Sequence, residues 1–229
     1  MMLRECTVDG HLHATLFPLI KSLEGISHAS PVLDLGCGTG AWMARLHDAG
    51  FRDLSGVDFN AADFGAAHAG RFIPADMDGA DIDGIEPSHF SLVTAIEVIE
   101  HVANPQRLVE IAAKALAPGG WLLITTPNIY SLRARIRLLL GGGVSFFELG
   151  AHHTPVEPTH VHPLILQAYR RNLFDPLGLS VERVWSEPER GSYGSRWFAR
   201  LTIRALRLVL ADDLPGDTIC LLLRKSAPS

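Results

Sequence analysis

The sequence lacks any apolar run of the roughly 18 residues that a membrane-spanning helix needs. Its first residues contain no apolar core typical of a secretory signal. The three cysteines, Cys6, Cys37 and Cys220, are odd in number and widely spaced, which favours a reduced compartment over a disulfide framework. Basic charge is not in excess, since the net charge is -5, and this argues against a general nucleic-acid binder. We therefore expect a cytoplasmic protein with no transmembrane segment.

Apolar residues are plentiful by contrast, at 47% of the chain, and they occur in short runs separated by helical patterns. The predicted strands are residues 31–35, 53–58, 71–75, 90–96, 121–126, 179–185 and 218–224. The predicted helices are residues 11–23, 41–49, 61–69, 105–116, 163–172 and 196–210, with a turn at 118–120. Regular alternation of apolar strands with helices predicts a doubly wound, mostly parallel α/β sheet of seven strands, Rossmann-like in form.

We expect one domain over residues 1–229, with two less regular segments, 128–162 and 186–215, inserted as a cap over the ligand edge. Both segments contain arginines at helical spacing beside leucines, over residues 132–140 and 196–210. Such stripes fit helices that cover the sheet, and they also fit peripheral contact with an anionic membrane or a lipid-linked substrate.

The turn after the first strand has glycine at alternate positions: Gly36, Gly38 and Gly40. Glycine allows a backbone to pass close to a ligand and to adopt positive φ. The pattern Gly36-x-Gly38-x-x-Ala41 also satisfies a relaxed dinucleotide-binding motif. Asp34, two residues before the first glycine, favours a ligand with an ammonium or sulfonium group, because its carboxylate would repel a pyrophosphate.

The run Asp34-x-Gly36-x-Gly38-x-Gly40 resembles the first motif of the class I S-adenosylmethionine (SAM) dependent methyltransferases, and the resemblance extends to about residue 128. It implies SAM as the cofactor. Asp58 ends the second strand, where a carboxylate can accept hydrogen bonds from both ribose hydroxyls. By resemblance, Asp76 contacts the adenine amino group and Met77 packs on the ring. The expected cofactor-binding residues are Asp34, Gly36, Cys37, Gly38, Gly40, Asp58, Phe59, Asp76, Met77 and Glu97.

The segment Glu97-Val98-Ile99-Glu100-His101-Val102 follows the fourth strand, next to the expected methyl group. It resembles the Glu-Val-x-Glu-His-Val segment of ubiquinone-pathway O-methyltransferases and of small-RNA 2′-O-methyltransferases. In those families the two glutamates, the histidine and a later histidine hold a divalent cation. Four later histidines occur here, at 152, 153, 160 and 162. We expect Glu100 and His101 to be catalytic, with either a metal-free His101 base or Mg²⁺ or another divalent cation on Glu97, Glu100, His101 and His160.

The resemblance predicts SAM-dependent O-methylation of a small-molecule hydroxyl on a sugar, a phenol or a lipid-linked intermediate. An RNA ribose 2′-O-methyltransferase is an alternative, disfavoured by the acidic N-terminal half. A nicotinamide-dependent oxidoreductase of the short-chain type would need Tyr-x-x-x-Lys, which none of the three tyrosines begins. A non-catalytic SAM-binding module is a third alternative. The sequence leaves the acceptor, the need for metal and the oligomeric state open.

Overall fold

The computed structural model describes residues 10–60, 64–66, 69–79, 82–141, 162–187, 214 and 216–227. The α-helices in these ranges are α1 Gly10–Ser22, α2 Ala41–Asp48, α3 Pro105–Ala115, α4 Leu132–Leu139 and α5 Leu166–Tyr169. The strands are β1 Val32–Leu35, β2 Leu54–Asp58, β3 Arg71–Pro74, β4 Phe90–Ile96, β5 Leu116–Pro127, β6 Leu179–Glu187 and β7 Thr218–Lys225.

The strands of the described residues form one sheet in the order β3-β2-β1-β4-β5-β7-β6. The first five are parallel, while β7 runs antiparallel between β5 and β6. The prediction of a doubly wound, mostly parallel sheet of seven strands is therefore confirmed. The strand order proceeds in opposite directions from β1 and β4, so a crevice is expected outside their carboxyl ends, where sheets of this kind bind ligands.

Helices cover both faces of the sheet, and the alternation of side chains along β1 divides the core between them. Val32 packs in one layer with Leu16 of α1 and Met43 of α2. Leu33 packs in the opposite layer with Leu108 of α3. All four residues of β1 are buried, as expected for a strand covered on both faces.

Two residues, Asn104 and Pro105, explain where α3 begins. The Asn104 side chain accepts a hydrogen bond from the Arg107 N–H at 3.2 Å, and Pro105 occupies the first helical position. Both are favoured helix starts, because the amide groups there have no partner within the helix. The loop before Asn104 carries the segment in which we expect the catalytic residues.

Three predicted elements differ in the structure. Residues 64–66 of the predicted helix 61–69 are not helical, because the Gly65 N–H donates to the Thr39 carbonyl across the glycine turn. The predicted turn 118–120 lies inside β5 as an irregularity in its pairing with β4, where Gly119 has φ 77°. The predicted helix 163–172 is α-helical only over Leu166–Tyr169, and continues as a π-helix over Arg170–Phe174. The predicted helix 196–210 lies outside the described residues.

Asn128, the residue after β5, joins the ends of the two predicted insertions through hydrogen bonds. Its buried amide donates to the carbonyls of Leu214 at 2.9 Å and Gly216 at 2.7 Å, and its side-chain oxygen accepts the Tyr130 N–H at 2.9 Å. Most residues of both segments lie outside the described ranges, so the proposed cap boundaries stay predictions. Across the residues that the structure describes, we find no helix with the length and hydropathy that crossing a membrane requires.

Candidate active site

The glycine turn connects β1 to α2, and all three glycines adopt positive φ: 74° at Gly36, 50° at Gly38 and 79° at Gly40. A Cβ added at Gly36 would overlap the Val98 side chain, and one at Gly40 would overlap Ala66. A Cβ at Gly38 would meet no atom within 4 Å. Gly36 and Gly40 therefore permit close packing, whereas Gly38 borders open space above the turn, as a cradle for a ligand requires.

Asp58 ties the end of β2 to this turn. One carboxylate oxygen accepts the Gly38 N–H at 2.8 Å, and the other accepts the Asn60 N–H at 3.1 Å. A carboxylate oxygen has two lone pairs, so each retains capacity to accept a ligand hydroxyl. Phe59, the next residue, is 78% exposed. Asp58 thus lies against the glycine turn, and the expected roles of Asp58 and Phe59 toward the cofactor stay predictions.

Asp34 lies under the turn, only 3% exposed, and accepts a hydrogen bond from the Thr94 hydroxyl at 2.6 Å. Burial raises the pKa of Asp34 to about 7, opposed by the Thr94 hydrogen bond and reinforced by the Asp58 carboxylate. A buried carboxyl of this kind is stabilised in its ionised form by a nearby cation. Burial raises the pKa of the Cys37 thiol, and the negative charge of Asp34 adds a smaller increase, so Cys37 acts as a neutral packing group.

The turn after β3 contains the residues expected at the adenine. Asp76 is exposed, and its side chain accepts the Asp78 N–H at 2.9 Å. Met77 is buried in the core with Ile73. Asp76 thus lies at the surface, in the turn that follows β3. The roles of Asp76 and Met77 toward adenine stay predictions.

Glu97, directly after β4, has the left-handed backbone conformation at φ 54°, which is uncommon for a residue other than glycine. Thr125 of β5 stabilises this conformation. The Glu97 N–H donates to the Thr125 carbonyl and hydroxyl at 3.1 and 3.0 Å, and the Thr125 hydroxyl donates to Glu97 Oε1 at 2.9 Å. Such a strained residue persists only where its surroundings hold it, as happens at functional sites.

Glu100 is fully buried and accepts a hydrogen bond from the Thr126 hydroxyl at 2.9 Å. Burial, and then the Glu97 carboxylate, raises the pKa of Glu100 well above its ordinary value. Its other oxygen, Oε1, has no hydrogen-bond partner among the described residues and lies 3.9 Å from His101 Nε2. Glu100 and His101 therefore form an adjacent acid and imidazole at the carboxyl end of β4.

The three expected metal ligands that the structure describes, Glu97, Glu100 and His101, do not come together as a set. Among the described residues, no group of three or more His, Cys, Asp or Glu side chains is placed to hold a metal ion. The Glu97 and Glu100 carboxyls accept hydrogen bonds from Thr125 and Thr126, and burial favours a proton on Glu100. His160 lies outside the described residues, as do His152 and His153. The possible metal ligands among the described residues thus do not support the prediction of a bound divalent cation.

Sequence reasoning missed the threonines that position the acidic residues, namely Thr94, Thr125 and Thr126. A signal was present, because a hydroxyl on an otherwise apolar buried strand must find a partner. It also did not single out Asp78. The Asp78 carboxylate accepts the N–H groups of Ala103 and Asn104, both at 2.8 Å.

The strand order, the glycine turn after β1 and the aspartate that ends β2 define the class of protein as a class I SAM-dependent methyltransferase. Residues 8–183 match the family model described as "Methyltransferase domain". The chain belongs to this methyltransferase domain family. The membership predicted from the glycine motif is thereby confirmed, and the dinucleotide interpretation of Gly36-x-Gly38-x-x-Ala41 is set aside.

Curated relatives match part of the chain. The ubiquinone biosynthesis O-methyltransferase of Idiomarina loihiensis is 35% identical over 103 residues, covering 42% of this chain and 42% of the relative. The protein of the same name from Hydrogenovibrio crunogenus is 29% identical over 115 residues, covering 48% and 47%. The matches thus span less than half the length of these relatives.

Among solved structures, a SAM-dependent methyltransferase from Archaeoglobus fulgidus superposes with a TM-score of 0.64. The superposition covers 94% of each chain at 17% identity. At this identity the likeness shows the fold alone.

Proposed function

We propose that this chain transfers a methyl group from SAM to a hydroxyl of a small-molecule acceptor. The observation that supports this most is the open space above Gly38, whose N–H donates to the Asp58 carboxylate, together with the buried Asp34 carboxyl, which is close enough to Asp58 for their charges to interact. These residues fit SAM, because Asp34 favours a cationic ligand and Asp58 favours a diol. Asp76, Met77 and Phe59 would hold the adenosine, and the backbone of the glycine turn would approach it closely.

A hydroxyl is the favoured acceptor because both curated relatives carry the name of O-methyltransferases. Bound SAM supplies a methyl group that is already activated toward attack. The remaining task of the protein is to orient the hydroxyl, exclude water and accept its proton. His101 is suited to accept it, because its side chain is partly exposed and it lies in the loop that follows β4.

Glu100 assists His101 in this proposal. When the imidazole takes a proton, the new positive charge lies next to Glu100 Oε1, 3.9 Å from Nε2 in the present geometry. The cation favours the ionised carboxyl and offsets the burial that raises the pKa of Glu100. The pair thus ends as an imidazolium beside a carboxylate, with the proton that burial favoured on Glu100 released to solvent, and Thr126 holds the carboxyl in place.

We expect Glu100→Ala to bind SAM with nearly wild-type affinity and to lose methyl transfer by a factor of about 100 or more, the usual contribution of acid–base catalysis. The measurement is label transfer from methyl-labelled SAM to a panel of sugar and phenol hydroxyls, beside calorimetry of SAM binding. Glu110→Gln on α3 is the control. Unchanged turnover in Glu100→Ala would contradict the role, and a wild-type protein inactive on every hydroxyl would contradict the acceptor class.

The affinity for SAM should rise with pH up to about 7 and then level off. Asp34 has a raised pKa of about 7 without ligand, and a cationic ligand favours its ionised form, so binding below this pH must release a proton. The slope approaches about tenfold in affinity per pH unit at pH values well below 7. Calorimetry in buffers of different ionisation enthalpy measures the proton release. Asp34→Asn should remove the slope, and a slope that persists in this variant would assign it to another group.

The divalent cation suggested by the resemblance enters no step of this proposal. Its predicted ligands were Glu97, Glu100, His101 and His160, and those that the structure describes do not form a set of donors. Titration of Mg²⁺, Mn²⁺ and Zn²⁺ into the SAM-bound protein, with turnover measured before and after chelation, decides the matter. Turnover abolished by chelation and restored by one of these ions would reinstate the metal.

We further propose that the end of α4 contacts an anionic membrane or a lipid-linked acceptor. Leu138, Leu139 and Leu140 are 57%, 84% and 81% exposed, and the exposed Arg135 and Arg137 precede them. Leucines of a helix that merely covers the sheet would be buried. We expect co-flotation with phosphatidylglycerol vesicles and not with phosphatidylcholine vesicles, and a loss of about tenfold or more in Leu139→Gln/Leu140→Gln. Equal flotation of the variant and the wild type would refute this contact.

A further inference from the structure

The backbone of Ala103 is held on both sides by side chains from separate segments. Its N–H donates to Asp78 Oδ2 at 2.8 Å, and its carbonyl oxygen lies 2.9 Å from His162 Nε2. A carbonyl can only accept, so His162 Nε2 carries the proton in this contact. Ala103 follows His101 by two residues, so both contacts act on the loop that bears the proposed catalytic pair.

Asp78 connects this loop to the turn expected at the adenine. Its own N–H donates to Asp76 Oδ1 at 2.9 Å, and the second oxygen of its carboxylate accepts the Asn104 N–H at 2.8 Å. The hydrogen bonds from these two backbone N–H groups to one carboxylate are charge-assisted, and such bonds are stronger than neutral ones. A ligand on Asp76 would therefore be two hydrogen bonds away from Ala103.

His162 connects the loop to the segment that leads into α5. The backbone N–H of His162 donates to the Glu100 carbonyl at 3.3 Å, so His162 contacts the loop through both its backbone and its ring. The first amide of α5, that of Leu166, donates to the Tyr130 hydroxyl at 2.9 Å. Further along α5, burial and the nearby Glu100 carboxyl raise the pKa of Tyr169, which places this segment beside Glu100.

Capping of α3 does not explain the Asp78 contacts. Asn104 already caps that helix, since its side chain accepts the Arg107 N–H. Asp78 acts before the helix, on the residues between His101 and the cap. The acceptor that α3 needs is present without it.

We propose that Asp78 and His162 are positioning residues that hold the Ala103 backbone between the cofactor turn and the segment before α5, and so fix Glu100 and His101 for methyl transfer. This inference rests on the proposed function for its catalytic consequence. The contacts themselves do not, so the two can fail separately. Binding of SAM at Asp76 is expected to strengthen the hydrogen bond between Asp78 and the Ala103 N–H.

Amide hydrogen exchange on the full chain, followed by NMR, tests the contacts without turnover. We expect the Ala103 and Asn104 amides to exchange roughly tenfold or more faster in Asp78→Ala than in wild type, because a charged acceptor is lost. Adding SAM should slow the Ala103 amide in wild type and not in Asp78→Ala. Asp83→Ala, an exposed aspartate of the same acidic segment, is the matched control and should leave both amides unchanged.

Kinetics test the positioning role. Asp78→Ala should lower the maximal transfer rate on the order of 10- to 100-fold, the effect of a small misplacement, with SAM affinity changed less than about threefold. Asp78→Asn retains one acceptor and should recover part of the rate. His162→Gln retains a donor for the Ala103 carbonyl, so its maximal rate of methyl transfer should be higher than that of His162→Ala.

Unchanged exchange of Ala103 and Asn104 in both Asp78→Ala and Asp78→Asn would overturn the inference. So would a wild-type transfer rate in a variant whose amides exchange faster. Should Asp78→Ala fail to fold, Asp78→Asn and the His162 pair carry the same comparison. A wild-type protein that binds no SAM contradicts the proposed function alone, because exchange without ligand still reports on the Ala103 contacts.

Discussion

Gly38→Ala is expected to fold normally and yet to lose SAM affinity by roughly 10- to 100-fold, the scale of one extra methyl group in a filled site. An added Cβ at this position meets no protein atom within 4 Å, so the protein itself has room for it. The positive φ of 50° costs an alanine about 1–2 kcal/mol. The methyl group would occupy the space that the proposal assigns to the cofactor.

Gly36→Ala is the matched comparison, since it adds the same methyl group two residues away. Its φ of 74° is also positive, but the new Cβ would overlap the Val98 side chain. We expect it to destabilise the fold by about 3 kcal/mol, from backbone strain and overpacking together. Denaturant unfolding and SAM calorimetry separate the two effects. Full SAM affinity in Gly38→Ala would show that the cofactor does not occupy this space.

Asp58→Ala is expected to lose about 2 kcal/mol or more of SAM affinity, or roughly 30-fold, the effect of removing a charge-assisted acceptor. The variant removes the acceptor for the ribose hydroxyls. It also leaves the Gly38 and Asn60 N–H groups without the oxygens that now accept their hydrogen bonds. Both effects weaken the same site, since Gly38 borders the open space.

Two further variants separate these effects, with calorimetry as the measurement. Asp58→Asn keeps one acceptor oxygen and should lose less affinity than Asp58→Ala. Asp53→Ala removes an exposed aspartate just before β2 and should bind SAM as the wild type does. Asp58→Ala with wild-type affinity would remove Asp58 from the binding site.

Local signals predicted much of the fold. The bounds of β4, Phe90–Ile96, were predicted to the residue, because a strand buried on both faces is an apolar run that stands out in sequence. The start of α3 was predicted from Pro105 for a similar reason. The glycine turn was predicted as well, because three glycines at alternate positions are unfavourable unless the backbone needs them.

Contacts between distant segments were beyond such signals. Thr125 and Thr126 bind Glu97 and Glu100 only because β5 pairs with β4 in one particular register. The composition of residues 61–69 predicts a helix, yet the described residues 64–66 are not helical, and the Gly65 N–H donates to the Thr39 carbonyl.

The later histidines show the same limit. His160 was chosen by resemblance, whereas the structure places His162 against the Glu100–Ala103 loop. No periodicity in the histidine-rich sequence distinguishes one of these two histidines from the other. Spacing along the chain does not give the direction of a side chain in an irregular segment.

A crystal structure of the protein soaked with SAM tests the central claim most directly. We predict the nucleoside above Gly38, its ribose hydroxyls on the Asp58 carboxylate and its positively charged end toward Asp34. Electron density for SAM at another place, or an Asp58 carboxylate with no ligand contact while SAM is bound elsewhere, would contradict the account.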